Sequence, residues 1–411
     1  MILRNQPPLQ LTYCLNVHPG ESWEENLEAI RAHTLVIRDR VASDTPFGLG
    51  LRLSRMAAET LSQPETIAGF RAFMKDNNLY AFTINGFPYG AFHGKPVKTE
   101  VYRPDWSTRE RLDYTVLLAN ILGQLLPEGM EGSISTVPLG YRGAVSAQHK
   151  LSIRDPKLGT LHLAECAFAL HTLHNTTGRE IHIGLEPEPD CLLETTEEVI
   201  QFFEGPLREH GVPHLAARLN CDPGSAETIL RRHIGICFDT CHLAIQFETL
   251  ADSLTRLIRH GIRISKVQLS SALEVVANKP ARQRLAEFLD PVYLHQVKAI
   301  PFSSPLTKNK EPIAPTPYPD LPDALLHDAE SCLWRIHFHL PLYFEGDGVI
   351  HSTAGAMDSK FWDTMRTSPV SHLEIETYTF NVLPLEMRAD GIASSISREY
   401  GWVMKKIQQA E

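Results

Sequence analysis

Short apolar runs alternate with longer amphipathic ones along most of the chain. The short runs have the length and hydrophobicity of buried strands, and the longer ones have the period expected of helices. This alternation is typical of βα units that surround a parallel sheet. Nine segments are predicted as strands: 9–17, 47–53, 79–84, 132–137, 180–186, 234–239, 264–270, 334–342 and 371–380.

Helix starts between these strands are marked by capping boxes. In a capping box, a Ser or Thr hydroxyl and a Glu three residues later satisfy each other's backbone amides. The pattern occurs at Ser22–Glu25, Ser107–Glu110 and Thr195–Glu198. Gly211 and Gly261 are placed to end two of the helices, as glycines at helix C-termini commonly do.

Two fold classes, the open doubly wound sheet and the closed barrel, both alternate strands and helices, and the positions of the acids distinguish them. An open, doubly wound sheet is disfavoured because no GxGxxG motif follows the first strand. Carboxylates instead recur where several strands end, as they do in barrels whose catalytic residues come from many strand ends. We therefore predict an α/β fold, a (β/α)8 TIM barrel that residues 1–411 form as one domain. One of the nine strand candidates is then extra.

The segment before the last strand differs from the rest of the chain. Residues 300–325 are rich in proline and lack periodicity, which excludes a central strand or a helix interior. We predict an inserted excursion over 272–332, which is either a surface connection between barrel elements or a lid over the site.

Composition and charge narrow the class of protein. Apolar residues make up 43% of the chain, and a formal charge of -10 argues against a nucleic-acid partner, since phosphate binding needs a basic face. No stretch approaches 18 consecutive apolar residues, so no membrane span is expected, and the first residues are predicted as a strand and not a signal peptide. Seven cysteines without a CxxC spacing favour a reducing, cytoplasmic environment.

Three acids stand directly at predicted strand ends. Strand alternation places Glu186, Asp239 and Glu376 on the face opposite the apolar side chains of their strands. At the mouth of a barrel these carboxylates could share one divalent metal. Each acid by itself could instead cap a helix or pair with an arginine.

Further polar side chains lie near the same ends. His242 follows Asp239 by three residues, so both could face one pocket, and Asp and His together ligate Mn, Zn or Fe. Gln268 could supply a neutral oxygen ligand or be a satisfied core amide. The other candidates for contact with a polar substrate are Asn16, His18 (equally a turn residue), His295 and His337, which shares a strand face with His339.

Six segments carry a family resemblance. They are LTYCLNVHPGESW, SISTVPLGYRG, ICFDTCH, KVQLSSAL, RIHFHLPL and HLEIETYTF, spread from residue 9 to about residue 384. Together they resemble the EboE metabolite-traffic family, within the xylose isomerase-like TIM barrels. The resemblance implies a divalent metal at the barrel mouth, with Mn, Zn, Mg or Fe as candidates. Glu186, Asp239, His242 and Glu376 match the motif residues of the wider superfamily, and Gln268 stands where a His is usual.

The same resemblance implies a function. Related epimerases use two metal-bound glutamates to move protons at the carbon next to a carbonyl. Glu186 and Glu376 would be this pair, with Asp239 and Gln268 completing the metal ligands. We expect an isomerase or epimerase for a small polyhydroxylated or phosphorylated metabolite, with other Ebo-pathway proteins as partners. The alternatives are a non-catalytic barrel that hands a metabolite over, and an endonuclease IV-like phosphodiesterase, which would need more histidines and a basic groove.

Overall fold

Parallel strands that alternate with helices form the frame of the molecule, which a computed structural model describes over residues 1–5, 7–143, 156–302, 314–327 and 331–410. The strands are β1 (Ile2–Asn5), β2 (Pro8–Tyr13), β3 (Phe47–Arg52), β4 (Leu79–Asn85), β5 (Gly132–Thr136), β6 (Ile181–Leu185), β7 (Ile234–Asp239), β8 (Ile264–Leu269), β9 (Leu273–Val276), β10 (Val297–Pro301), β11 (Thr316–Tyr318), β12 (Cys332–Ile336), β13 (His351–Ser352) and β14 (His372–Ile375).

The helices fill the connections between these strands. They are α1 (Trp23–Ala29), α2 (Leu35–Val41), α3 (Arg55–Leu61), α4 (Pro64–Asp76), α5 (Arg109–Leu125), α6 (Pro156–Thr177), α7 (Thr196–Glu204), α8 (Val212–Leu219), α9 (Pro223–His233), α10 (Thr240–Ile245), α11 (Leu250–Arg259), α12 (Lys279–Leu285), α13 (Leu321–Leu325), α14 (Ser359–Thr367) and α15 (Ile392–Ala410). Within the described part of the chain, no helix combines the length and the apolar character needed to cross a membrane.

Eight of the strands close into a parallel barrel, in the order β2-β14-β8-β7-β6-β5-β4-β3. A parallel bridge between Cys14 and Gly50 joins the two ends of this sheet, and Thr12 Oγ1 donates to the carbonyl oxygen of Gly48 at 2.7 Å. A Cβ at Gly50 would lie 2.7 Å from the carbonyl oxygen of Tyr13, so glycine is what allows the strands to approach. The predicted (β/α)8 barrel is confirmed.

The strand candidate at 334–342 is the one that lies outside the barrel. Its first residues belong to β12, which lies in a second, antiparallel sheet of order β11-β10-β12-β9-β13. The chain forms this second sheet between β8 and β14, from Leu273 to Ser352, so the excursion predicted over 272–332 ends where β12 begins. Pro317 lies on β11, which is an edge strand of this sheet. Proline, which has no backbone N–H, is found in sheets mainly on such edge strands. Residues 303–313 of the proline-rich segment lie outside the described residues.

Two of the three predicted capping boxes form, at Ser22 and at Thr195. The third does not form, because the Ser107 hydroxyl donates to Asp105 Oδ1 instead of capping a helix. The backbone N–H of Ser107 donates to the same oxygen at 2.9 Å. Helix α5 therefore begins one residue later, with Thr108 at its N-cap position.

The two glycines predicted to end helices behave differently. Gly261 follows α11 with a φ of +64°, the left-handed conformation expected after a helix end. Gly211 instead has helical φ and ψ of -71° and -44° and continues a π-helical turn directly into α8. The prediction for Gly211 is wrong, because a glycine ends a helix only where the chain needs a positive φ.

Buried polar contacts fix the second sheet to the loop that follows β6. Lys298 Nζ, on β10, pairs with Asp190 Oδ1 at 2.7 Å and with Glu194 Oε1 at 2.5 Å. Gln296 Nε2 donates to the carbonyl oxygen of Pro189 at 3.1 Å. Arg335 Nη1, on β12, donates to the carbonyl oxygen of Ala244 in α10 at 2.6 Å. Side chains of the second sheet are thereby held in place over the carboxyl ends of the barrel strands.

Candidate metal centre

Three acids from different strands meet at the carboxyl ends of the barrel strands. Glu186 follows β6, Asp239 ends β7 and Glu376 follows β14. One oxygen of each carboxylate lies within 4.8 Å of the others, and the residues are only 3%, 0% and 4% exposed. Acids that are far apart in the sequence therefore share one buried space, which we call the acid group.

Asp239 is held so that one of its oxygens remains free. Its Oδ1 accepts from the backbone N–H of Cys241 at 2.8 Å, from that of His242 at 3.0 Å, and from Ser270 Oγ at 2.7 Å. Asp239 is thus the N-cap of α10. Its Oδ2 is buried and has no hydrogen-bond partner among the described residues.

Two amides orient the carboxylate of Glu376. Asn16 Nδ2 donates to Glu376 Oε1 at 2.7 Å, and Asn85 Nδ2 donates to the same oxygen at 3.1 Å. Asn16 was predicted to contact substrate, and the structure places it on Glu376. Asn85 was not predicted, although it ends the apolar run of β4 as the acids end theirs.

The electrostatics of the acid group favour binding of a cation. Burial raises the pKa of Glu186 well above its usual range, and the charges of Glu376 and Asp239 add to the effect. Burial also raises the pKa of Glu376, with further contributions from Asp239 and Glu374. Three carboxylates this close repel one another unless a proton or a metal ion intervenes. Unpartnered buried oxygens on Glu186 and Asp239 fit a divalent metal as the neutralising group.

Three histidines border the acid group. His242 lies on α10, and His337 and His339 follow β12. Every pair of them occurs in a group whose ligand atoms lie within 4.8 Å of one another: Glu188 with His242 and His337, Asp239 with His242 and His339, and Cys241 with His337 and His339. His242 and His337 were predicted to contact substrate, and the structure places both beside the acids.

Two further predicted residues, Gln268 and His18, have other hydrogen-bond partners. Gln268, the register partner of Asp239 on β8, accepts the thiol of Cys237 on its Oε1, and its buried Nε2 has no hydrogen-bond partner among the described residues. His18 is hydrogen-bonded to Tyr13 Oη at 2.9 Å, and its ring stacks on that of His33 with centroids 4.5 Å apart. Neither side chain makes a hydrogen bond to the three acids within the described part of the chain.

His295 supports the site without belonging to it. Its Nδ1 donates to the main-chain oxygen of His337 at 2.7 Å, and its Nε2 faces Asp290 Oδ2 at 3.4 Å. His295 was predicted to contact substrate, and the structure places it behind His337, whose main chain it contacts.

Sequence reasoning missed Glu188, His339 and Cys241. Two of them had a readable signal, because Glu188 follows Glu186 by two residues and His339 follows His337 by two. Residues two apart point in the same direction where the chain is extended. The signal therefore holds for each pair only if its segment is extended. Cys241 lies inside the recognised ICFDTCH segment, but one cysteine carries no signal by itself.

A cavity opens above the acid group. Its empty volume is about 520 Å³, including the mouth that opens to solvent, and Glu186, Glu188 and Glu376 line its floor. Aromatic side chains form much of the wall: Phe87, Phe92, Tyr102, Tyr293 and Tyr378. An aromatic wall with a few acidic groups on one side is a lining that suits a small molecule.

Comparisons with known proteins add little to this geometry. No protein-family model and no curated protein matches the chain. The EboE resemblance therefore stays a prediction from sequence motifs.

Several solved structures are similar to this chain over almost its whole length, at 10% sequence identity. The IolI protein with a bound zinc atom has 10% identity, a TM-score of 0.48, and coverage of 98% of this chain and 99% of its own. A xylose isomerase-like TIM barrel protein from Mycobacterium smegmatis in complex with magnesium has 10% identity, a TM-score of 0.49, and coverage of 98% and 97%. The probable 3-DHS dehydratase AsbF from Bacillus anthracis has 10% identity, a TM-score of 0.45, and coverage of 96% and 98%.

Likenesses at this level do not bear on activity. The barrel follows from the chain's own strand order, and the candidate metal centre from its own ligand groups.

Proposed function

We propose that the chain is a metal-dependent isomerase or epimerase that acts on a small polyhydroxylated metabolite. The observation that carries this proposal is the meeting of Glu186, Asp239 and Glu376 beside a cavity that Glu186 and Glu376 line. These three residues would hold the metal. A bound divalent cation supplies Lewis-acid polarisation of a substrate carbonyl, an effect on the order of several kcal/mol in the transition state.

The proton transfers belong to the two glutamates. One carboxylate takes the proton from the carbon next to the carbonyl. Return of a proton to the same carbon from the opposite side inverts that centre. Return to the former carbonyl carbon, together with transfer of the neighbouring hydroxyl proton to the former carbonyl oxygen, gives the isomer. Asn16 and Asn85 hold Glu376 by one oxygen, so that its other oxygen is available for this exchange. Acid/base groups positioned in this way contribute roughly 10²–10⁴-fold to a rate.

The cavity favours a neutral substrate over a phosphorylated one. Among the described residues that line it, Lys98 is the only lysine or arginine. Its ammonium group already donates to the carbonyl oxygens of Asp290 and Tyr293 and to Asp320 Oδ2 at 2.6 Å. A phosphate group would therefore meet acids and aromatic rings without a free cation, which also counts against a phosphodiesterase.

Solvent deuterium exchange tests the proposal even while the physiological substrate is unidentified. The metal-loaded protein is incubated in D₂O with a panel of small aldoses, ketoses and carbonyl-bearing cyclic polyols, and exchange is followed by NMR. We expect deuterium at the carbon next to the carbonyl of at least one compound. Glu186→Gln and Glu376→Gln should each lower that exchange by about 10²–10⁴-fold, while Glu59→Gln, an exposed acid on α3, should leave it unchanged.

Two outcomes would contradict the proposal. Equal deuterium exchange in the wild type and in both glutamine variants would show that Glu186 and Glu376 do not transfer the protons. Binding of a panel compound that persists after chelation, with no deuterium incorporated, indicates instead a barrel that binds a metabolite and hands it to a partner. The EboE resemblance supports a place in metabolite maturation or traffic under either result.

A further inference from the structure

The hydrogen bonds of His242 and His337 fix where their ring protons lie. His242 Nδ1 is 3.0 Å from the carbonyl oxygen of Pro187, which can only accept, so this nitrogen carries the proton. His337 Nδ1 is 2.7 Å from Gln296 Oε1 and donates in the same way. In both neutral rings, Nε2 therefore carries no proton and can only accept. The Tyr378 hydroxyl, which can donate, lies 3.5 Å from His337 Nε2.

Contacts around Gln296 confirm the orientation of its amide. Gln296 Nε2 lies 3.1 Å from the carbonyl oxygen of Pro189 and 2.9 Å from Tyr102 Oη, which itself donates to Glu188 Oε1 at 2.7 Å. The carbonyl of Pro189 requires a donor, so the nitrogen of the amide faces it and the oxygen faces His337. This chain of contacts connects Glu188 and His337 through two buried side chains.

The two bare nitrogens face each other. His242 Nε2 and His337 Nε2 are 3.1 Å apart, a close contact between two acceptors with no proton between them. Two nitrogens that each lie about 2.0–2.1 Å from one tetrahedral zinc ion are themselves about 3.3 Å apart. The observed separation is therefore close to that of two ligands on one ion.

A third imidazole has the same arrangement. His339 Nδ1 donates to the main-chain oxygen of Glu376 at 2.9 Å. Its Nε2 is buried and has no hydrogen-bond partner among the described residues, and the same holds for Glu188 Oε2. Histidines that ligate metals typically have this feature, in which the nitrogen away from the ion donates to a carbonyl or a carboxylate.

We propose that the second sheet completes a separate transition-metal site, held by Nε2 of His242, Nε2 of His337 and the carboxylate of Glu188, three residues that each have a ligand atom within 4.8 Å of the others, with His339 beside it. Two imidazoles and one carboxylate form a ligand set that suits Zn²⁺ better than Mg²⁺. This histidine site adjoins the acid group but uses different donor atoms. It does not depend on the isomerase proposal.

Metal content of purified protein tests the histidine site. Chelated protein is loaded with Co²⁺, freed of excess metal, and examined by elemental analysis and visible absorption. We expect the wild type to bind a second equivalent beyond the acid group, with the intense visible bands of tetrahedral cobalt. His337→Phe should lose one equivalent and those bands. Glu376→Gln should keep the bands, because its change lies in the acid group.

Two further variants separate a metal site from a general loss of structure. His233→Phe replaces another fully buried histidine, whose Nδ1 donates to the main-chain oxygen of Ile181, and should keep both equivalents. Gln296→Leu removes only the acceptor of the His337 proton and should weaken the histidine site about 10–100-fold. Equal cobalt content and equal spectra in the wild type, His337→Phe and Gln296→Leu would overturn the proposal and leave a proton shared by the two rings.

Discussion

Replacement of Lys266 by Met is expected to lower the free energy of unfolding by about 3–5 kcal/mol, the cost of leaving a buried charge unpaired. Lys266 Nζ, on β8, donates to Glu374 Oε2 on β14, and both side chains are fully buried in the barrel. The positive charge of Lys266 also acts on Glu186 and Glu376, where it lowers the pKa and so opposes the effect of burial. Methionine has a similar length but cannot neutralise any of these carboxylates.

Denaturant unfolding of three variants separates pairing from packing. The double variant Lys266→Met/Glu374→Leu removes both charges and should recover most of the loss, because an apolar pair of similar volume avoids the unpaired charge. Lys360→Met, at an exposed ion pair with Asp252, should change the unfolding free energy by less than about 1 kcal/mol. If Lys266→Met is as stable as Lys360→Met, the buried pair does not have the assigned effect.

Metal ions are expected to stabilise the folded protein by about 3–4 kcal/mol at free concentrations of 100 to 1,000 times the dissociation constant. The reason is the repulsion among Glu186, Asp239 and Glu376, which a divalent cation removes. Asp239→Asn keeps the oxygen that caps α10 but loses one carboxylate of the acid group. It should therefore gain much less stability than the wild type on addition of Mn²⁺. Thermal unfolding with and without Mn²⁺ measures this.

The pH dependence of the chelated protein follows from the same group. The pKa values of Glu186 and Glu376 are raised in the folded state, so their protonated forms favour folding. Stability from these groups is fully present below the unfolded pKa of about 4.3 and is lost as pH rises through the folded values. Chelated wild type should therefore lose stability on going from acid towards neutral pH, and Mn²⁺ should reduce that loss.

Asp222→Asn is the matched control for this experiment. Asp222 is also a helix N-cap, at the start of α9, but it is exposed and belongs to none of the ligand groups found among the described residues. Its variant should respond to Mn²⁺ as the wild type does. If Asp239→Asn gains as much from Mn²⁺ as Asp222→Asn, Asp239 is not a ligand.

The barrel and the acid group were predictable because their causes are local and regular. A buried parallel strand is an apolar run, and all carboxyl ends of parallel strands meet at one mouth. Glu186, Asp239 and Glu376 each end such a run, so their meeting follows from the fold class alone. Asn85 ends β4 in the same way but was not selected, whereas Asn16, which was selected, lies in a short 3-10 helix after β2.

The contribution of the second sheet was harder to predict. His337 and His339 reach the acid group only because β12 pairs in an antiparallel manner with β9 and β10, across a proline-rich segment without periodicity. No local pattern specifies that pairing. Gln268 was predicted as a ligand from strand alternation, but whether its oxygen meets a metal or a neighbouring thiol depends on Cys237, one strand away.

The most direct measurement is anomalous diffraction from crystals soaked in Mn²⁺. We predict a manganese peak at the barrel mouth, with oxygens of Glu186, Asp239 and Glu376 all within about 2.0–2.6 Å of it, the range of hard divalent cations. A map with no peak there, or with the ion bound away from these three carboxylates, would contradict the account.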